Sequence, residues 1–133
     1  MNSLLLDTHT AVWYLRYPTR LSSTALERIH AAVEGDFPLF VSVISLIELV
    51  YLVEKGRVPK DPLNDLKIAL SDSRADIKVL PIEPAIIDSI EHIHRESVPD
   101  LPDRIIAATA LHRGLPLVTR DRQLRESEVE TIW

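Results

Sequence analysis

The chain contains no cysteine. That excludes disulfide frameworks, cysteine-zinc sites, iron–sulfur clusters and thiol nucleophiles. Glycine is almost as scarce, at 3 residues in 133, and with 9 prolines the composition is neither collagen-like nor low-complexity. No apolar run reaches the roughly 18 residues that a membrane span requires. The longest apolar-rich stretch, residues 37–53, is broken by Ser42, Ser45 and Glu48. The N-terminus has no basic segment and carries Asp7, which does not fit a signal peptide. These absences lead to the expectation of a soluble cytoplasmic protein without a membrane partner. Excess positive charge is missing too: the formal net charge is −5, opposite in sign to that of a non-specific nucleic-acid binder. The distribution is uneven, however. Residues 93–125 hold six arginines against four acids, and Glu126, Glu128 and Glu130 follow directly.

The apolar content is that of an ordinary globular protein, with 46% hydrophobic and 26% charged residues. A chain of this length buries roughly 65–70% of its unfolded surface, enough for a core without staples. No repeat or linker interrupts it, so residues 1–133 are read as one domain. Short apolar runs at Leu4–Leu6, 39–43, 77–82, 115–119 and 129–133 predict strands. Between them, helical spacing predicts helices at Thr8–Arg16, from 22–24 to Gly35, from Ser42 or Ser45 to Lys55, from Asp61-Pro62, over 84–96 and over 103–113. Thr24 and Glu27 have the spacing of a capping box. Asp61 reads as a cap with Pro62 at the first helical position. Strands alternating with helices imply an α/β fold with a mainly parallel sheet of four or five strands and helices on both faces. In such sheets ligands bind beyond the carboxyl ends of the strands, where strand order reverses.

Acids gather in the sequence positions that feed this edge. Asp7 follows the first strand and Asp121 the fourth, although aspartate is also a common helix cap or turn residue there. Glu48 sits inside an apolar helix among Leu46, Ile47, Leu49 and Val50, an unusual place for an unpartnered charge. Asp103 opens a helix after Pro102, with Asp100 an equally good cap. Four carboxylates at one mouth repel one another unless a positive charge lies among them, and an all-oxygen donor set suits Mg²⁺ or Mn²⁺. The consequent chemistry is metal-assisted phosphodiester hydrolysis. The Thr119 and Thr8 hydroxyls sit beside these acids, where either can orient a carboxylate or a metal-bound water, or serve simply as a β-former at a strand end. The five histidines form no ligand set, although His9 lies two residues from Asp7. Trp13, Tyr14 and Tyr17 read as core and interface residues, with base stacking a secondary role. Arg104 and Arg120 are candidates for holding a nucleic-acid backbone, or else for pairing with the acids of the tail.

Taken together, "LLLDTHTAVW", "VSVISLIEL", "LPDRIIAATAL", "GLPLVTRD" and the closing "IW" resemble a PIN-domain ribonuclease of the VapC toxin type, in order and over nearly the whole chain. The resemblance implies a three-layer α/β/α fold around an acidic pocket, and Mg²⁺- or Mn²⁺-dependent cleavage of RNA. It places Asp7, Glu48, Asp103 and Asp121 at the four metal-holding positions and Thr119 at the hydroxyl before the last. It further implies a homodimer and inhibition by a cognate antitoxin protein. The chain departs from the family pattern in Asp100-Leu101-Pro102-Asp103-Arg104, where the proline lies one place later than usual. Competing folds fit less well. A receiver-like switch needs an aspartate where Glu83 follows the third strand, and a haloacid-dehalogenase-type phosphatase needs one where His9 stands. A partner-binding or regulatory domain without catalysis is the remaining alternative.

Overall fold

A computed structural model describes residues 2–133. Five strands form one sheet in the order β3-β2-β1-β4-β5: β1 Leu4–Leu6, β2 Leu39–Ser42, β3 Ile77–Leu80, β4 Leu117–Val118 and β5 Thr131–Ile132. Every pairing is parallel. Parallel strands require crossover helices that cover both faces, and this is why β1 reads Leu-Leu-Leu rather than alternating with polar residues. Leu4 and Leu6 pack into one core with Ala11, Ile29, Leu49 and Leu66. Leu5 points to the opposite face, into a second core with Ile86, Ile106 and Leu117. The first layer belongs to helices α1 Thr8–Arg16, α2 Ser23–Glu34, α3 Val43–Glu54 and α4 Asp61–Ser71. The second belongs to α5 Ile86–His92, α6 Leu101–Arg113 and the short α7 Arg122–Arg125. This is the α/β/α sandwich expected, and no helix among the described residues is long and apolar enough to cross a membrane.

The chain builds the sheet outward from β1 through β2 to β3, then returns to place β4 on the other side of β1. Strand order therefore reverses between β1 and β4, and the crevice beyond their carboxyl ends is the expected ligand position.

Several local expectations are corrected. Thr24 and Glu27 form no capping box: Ser22 is the cap of α2, its hydroxyl accepting from the Ala25 amide at 3.1 Å. Asp61 lies within the first turn of α4 rather than capping it, and pairs with Arg16 at 3.5 Å. Helix α6 starts two residues early, because Asp100 is the cap and Pro102 fits the first turn, whose amides need no helical partner. The strands are shorter than the apolar runs. β3 stops at Leu80 because Pro81 has no N–H to offer the ladder. The predicted 84–96 helix is regular only over Ile86–His92, as Ile93 turns to extended backbone. The four residues of α7 fall below the length at which helical periodicity is detectable.

Candidate active site

Asp7 leaves β1 at the strand-order reversal and caps α1. Its Oδ1 accepts from the Thr10 amide at 2.9 Å, and its Oδ2 accepts from the hydroxyl of Thr119, which follows β4. The Thr119 oxygen in turn accepts the Asp121 amide at 3.0 Å. Asp121 caps α7 through Oδ1, which takes the Leu124 amide at 3.0 Å. Thr10 adds a further tie, donating its hydroxyl to the Val118 carbonyl at 3.0 Å. Asp7, Thr10 and Thr119 are all buried, so this corner is a closed hydrogen-bonded unit.

Glu48 reaches the same crevice from α3. Thr8 Oγ1 lies 2.7 Å from Glu48 Oε1 and 2.9 Å from Ser45 Oγ. A threonine hydroxyl has one proton and a carboxylate only accepts. Thr8 therefore donates to Glu48, and Ser45 donates to Thr8. Ser45 stands one helical turn before Glu48 on the same face, which brings both onto Thr8. One oxygen of Glu48 is thereby fixed by a two-hydroxyl relay, with the other unengaged by it.

Asp103 sits in the first turn of α6, three residues after the Asp100 cap. Among the described residues nothing donates a hydrogen bond to its carboxyl group. Its pKa is pushed up to about 7, first by burial and then by the negative charges of Asp100, Asp121, Glu48 and Asp7. Burial also raises the pKa of Asp7, while the hydrogen bonds from Thr119 and Thr10 pull the other way.

Asp7, Glu48, Asp103 and Asp121 line one cleft of about 440 Å³, together with Thr8, His9, Trp13, Asp100 and Arg120. All four acids nominated from the sequence are brought to this cleft, and Thr119 stands behind Asp7. Asp100 also reaches it, besides capping α6. Arg104 does not line it. Its guanidinium donates to the carbonyls of Ile93 at 2.9 Å and Ile90 at 3.2 Å, closing the carboxyl end of α5 against α6. The expectation that Arg104 holds a nucleic-acid backbone is therefore set aside. The sequence reading missed Ser45 and Thr10. Only the three-residue spacing from Ser45 to Glu48 signalled the first of these.

The donor set is all oxygen and strongly anionic, which suits a hard divalent cation. Among the described residues, no three acidic or imidazole side chains converge into a ready-made cage. Mg²⁺ needs no such cage, because it takes one or two carboxylates and retains waters that substrate phosphate can replace. Asp103, crowded by like charge and without a donor, is the group whose ionisation such a cation most favours.

A PIN domain model matches residues 4–129. The chain belongs to the PIN-domain family. This PIN domain is 34% identical over 140 aligned positions to ribonuclease VapC22 of Mycobacterium tuberculosis, with 100% of both chains covered. Its fold superposes on VapBC2 from Rickettsia felis bound to a promoter DNA fragment, with a TM-score of 0.72, 17% identity and coverage of 97% and 96% of the two chains. It also superposes on a toxin–antitoxin complex from Klebsiella pneumoniae, with a TM-score of 0.56, 23% identity and coverage of 92% and 91%. At those identities the two complexes support the fold, whereas the full-length match to VapC22 places the chain among VapC-type PIN proteins.

Proposed function

We propose that this VapC-type PIN protein is a Mg²⁺- or Mn²⁺-dependent endoribonuclease, the toxin of a toxin–antitoxin pair. The observation that carries the proposal is the cleft at the strand-order reversal, which Asp7, Glu48, Asp103 and Asp121 line from four separate parts of the fold, in a chain matching a VapC ribonuclease over its full length. A cognate antitoxin as partner is part of the same proposal, supported by the full-length match to VapC22 and by a fold shared with VapBC2.

When bound, the cation supplies Lewis acidity that polarises a phosphodiester and lowers the pKa of water. The protein's part is placement. Asp7 and Asp121 are held by helix-capping amides and by Thr119, so their outward lone pairs are set before substrate arrives. Glu48 is held by Thr8 through one oxygen and offers the other. These three carboxylates and Asp103 are the candidate metal-holding groups, and Thr119 positions two of them. With water as nucleophile, the products are a 5′-phosphate and a 3′-hydroxyl.

The test is cleavage of single-stranded RNA in Mg²⁺, Mn²⁺ or excess EDTA, with Asp7→Asn and Asp121→Asn alongside. Cutting in either metal, none in EDTA and none by the variants is expected. Undiminished cutting in EDTA defeats the metal assignment, and full activity in both variants removes the cleft from the reaction.

A further inference from the structure

A nuclease whose cleft carries four acids, in a chain of net charge −5, must attract a polyanion to a place that repels it. Five of the eleven arginines are engaged by an ion pair or a carbonyl, Arg74 with Asp72 at 3.6 Å among them. Arg16 bonds Asp65 at 2.6 Å, Arg113 pairs with Glu83, Arg122 meets Glu126 at 3.0 Å, and Arg104 is spent on the α5 carbonyls. Among the described residues Arg20, Arg28, Arg57, Arg95, Arg120 and Arg125 make no ion pair, and of these Arg20, Arg57 and Arg120, all exposed, border the acidic cleft or the groove beside it. Arg120 lines the acidic cleft. Arg20 and Arg57 line a second groove of about 340 Å³ with a largely apolar wall that includes Leu52 and Val58.

The two cavities adjoin, because His9 and Trp13 line both. Their rings lie 5.7 Å apart at a 44° tilt, and Trp13 is backed by Trp133 at 6.0 Å. On the groove side the Arg20 guanidinium lies 5.1 Å from the centre of the Tyr17 ring, which keeps the cation against an apolar surface without neutralising it. Aromatic faces beside unpaired cations are the two elements by which proteins hold single-stranded nucleic acid without reading its sequence.

We propose that the groove lined by Arg20 and Arg57 is a subsite for the single-stranded RNA flanking the scissile phosphate: Arg20 and Arg57 take backbone phosphates, and the His9–Trp13 wall stacks the base that separates this groove from the acidic cleft. The proposal rests on the ribonuclease reading. Charge and continuity favour RNA over a peptide as the occupant, since both rim cations lack carboxylate partners and the groove opens onto the cleft where phosphate is cut.

The experiment measures Mn²⁺-dependent cleavage of a fluorescein-labelled, mixed-sequence single-stranded RNA over a range of KCl concentrations. It compares the wild-type chain with Arg20→Gln/Arg57→Gln. The control is Arg74→Gln/Lys78→Gln, which removes the same charge from the far rim near Asp76. The groove variant is expected to raise KM several-fold at unchanged kcat, and to flatten the log–log salt dependence of kcat/KM by about 1.4, the contribution of two single-strand phosphate contacts. Its Mn²⁺ affinity by calorimetry stays that of the wild type, as do the kinetics of the control. Trp13→Leu keeps an apolar contact with Trp133 and is expected to raise KM with the salt slope intact. A wild-type chain that cuts no RNA overturns the nuclease reading itself. A wild-type chain that cuts, beside a groove variant with the same KM and salt slope, overturns the subsite alone. So does a groove variant that loses only its grip on an antitoxin protein, which would make the groove a protein-docking surface.

Discussion

The Thr119 hydroxyl donates to Asp7 across 112 residues of sequence while accepting the Asp121 amide, so one buried oxygen sets the positions of two acids. Thr119→Val leaves a buried carboxylate oxygen and a backbone amide without partners, a loss of about 1–3 kcal/mol for such groups. The valine variant is expected to unfold at lower denaturant and to cut RNA more slowly, with Thr119→Ser recovering both. Denaturation midpoints and kcat measured together check this. A valine variant as stable and as fast as the wild type would separate Thr119 from the site.

The relay from Ser45 through Thr8 to Glu48 orders a carboxylate that the apolar helix α3 does not otherwise restrain. Hydrogen bonds to charged groups contribute about 1.5–3 kcal/mol. Thr8→Val is expected to lower kcat and weaken Mn²⁺ binding by calorimetry, at little change in the KM for RNA. Thr8→Ser restores the hydroxyl and with it both quantities. Unaltered Mn²⁺ binding in Thr8→Val would show that Glu48 needs no such restraint.

Arg104 illustrates how charge can mislead when read along a chain. It lies beside Asp103 in an arginine-rich stretch, yet its guanidinium serves the Ile90 and Ile93 carbonyls. Arg104→Ala is expected to destabilise the α5–α6 layer by about 1–3 kcal/mol, the range for leaving partly buried carbonyls unpaired. The salt dependence of RNA cleavage should not change. A flattened salt slope would return Arg104 to the substrate.

The parallel sheet and its acidic edge were legible because each rests on a strong local signal. Leu4–Leu6 is too apolar for a one-sided strand, Asp7 stops it, and Glu48 is out of place among leucines and isoleucines. Capping and site membership read as competing roles for Asp7, Asp121 and Asp103; the structure gives Asp7 and Asp121 both at once, and moves the cap of α6 to Asp100, which also borders the cleft. One carboxylate oxygen takes the helix amides, and the group as a whole still borders the cleft. What escaped the sequence is what depends on depth and angle: which of several hydroxyls caps α2, where α5 frays, and which arginine is free. Ser45 was invisible as a site residue because a serine in a helix is ordinary until Thr8 is seen to meet it.

The crowding at Asp103 carries a pH signature. Its pKa in the folded chain, about 7, stands above the ordinary value of 3.8, so the folded protein holds a proton that the unfolded chain has released between those limits. Stability without metal is therefore full below about pH 4 as far as this group is concerned, and falls as pH rises through 7. A tenfold change in proton affinity is worth about 1.4 kcal/mol, and part of the effect is lost because Asp103 is only half-buried, leaving on the order of 2 kcal/mol. Asp7 acts in the same direction, since burial raises its pKa too. In EDTA the denaturation midpoint is expected to drop between pH 5 and pH 8, and Asp103→Asn is expected to reduce that drop. Mn²⁺ at pH 8 should restore the midpoint by favouring the ionised carboxylates. A metal-free midpoint that rises over the same interval in the wild type, but not in Asp103→Asn, would mean that Asp103 already has a cationic partner within the protein.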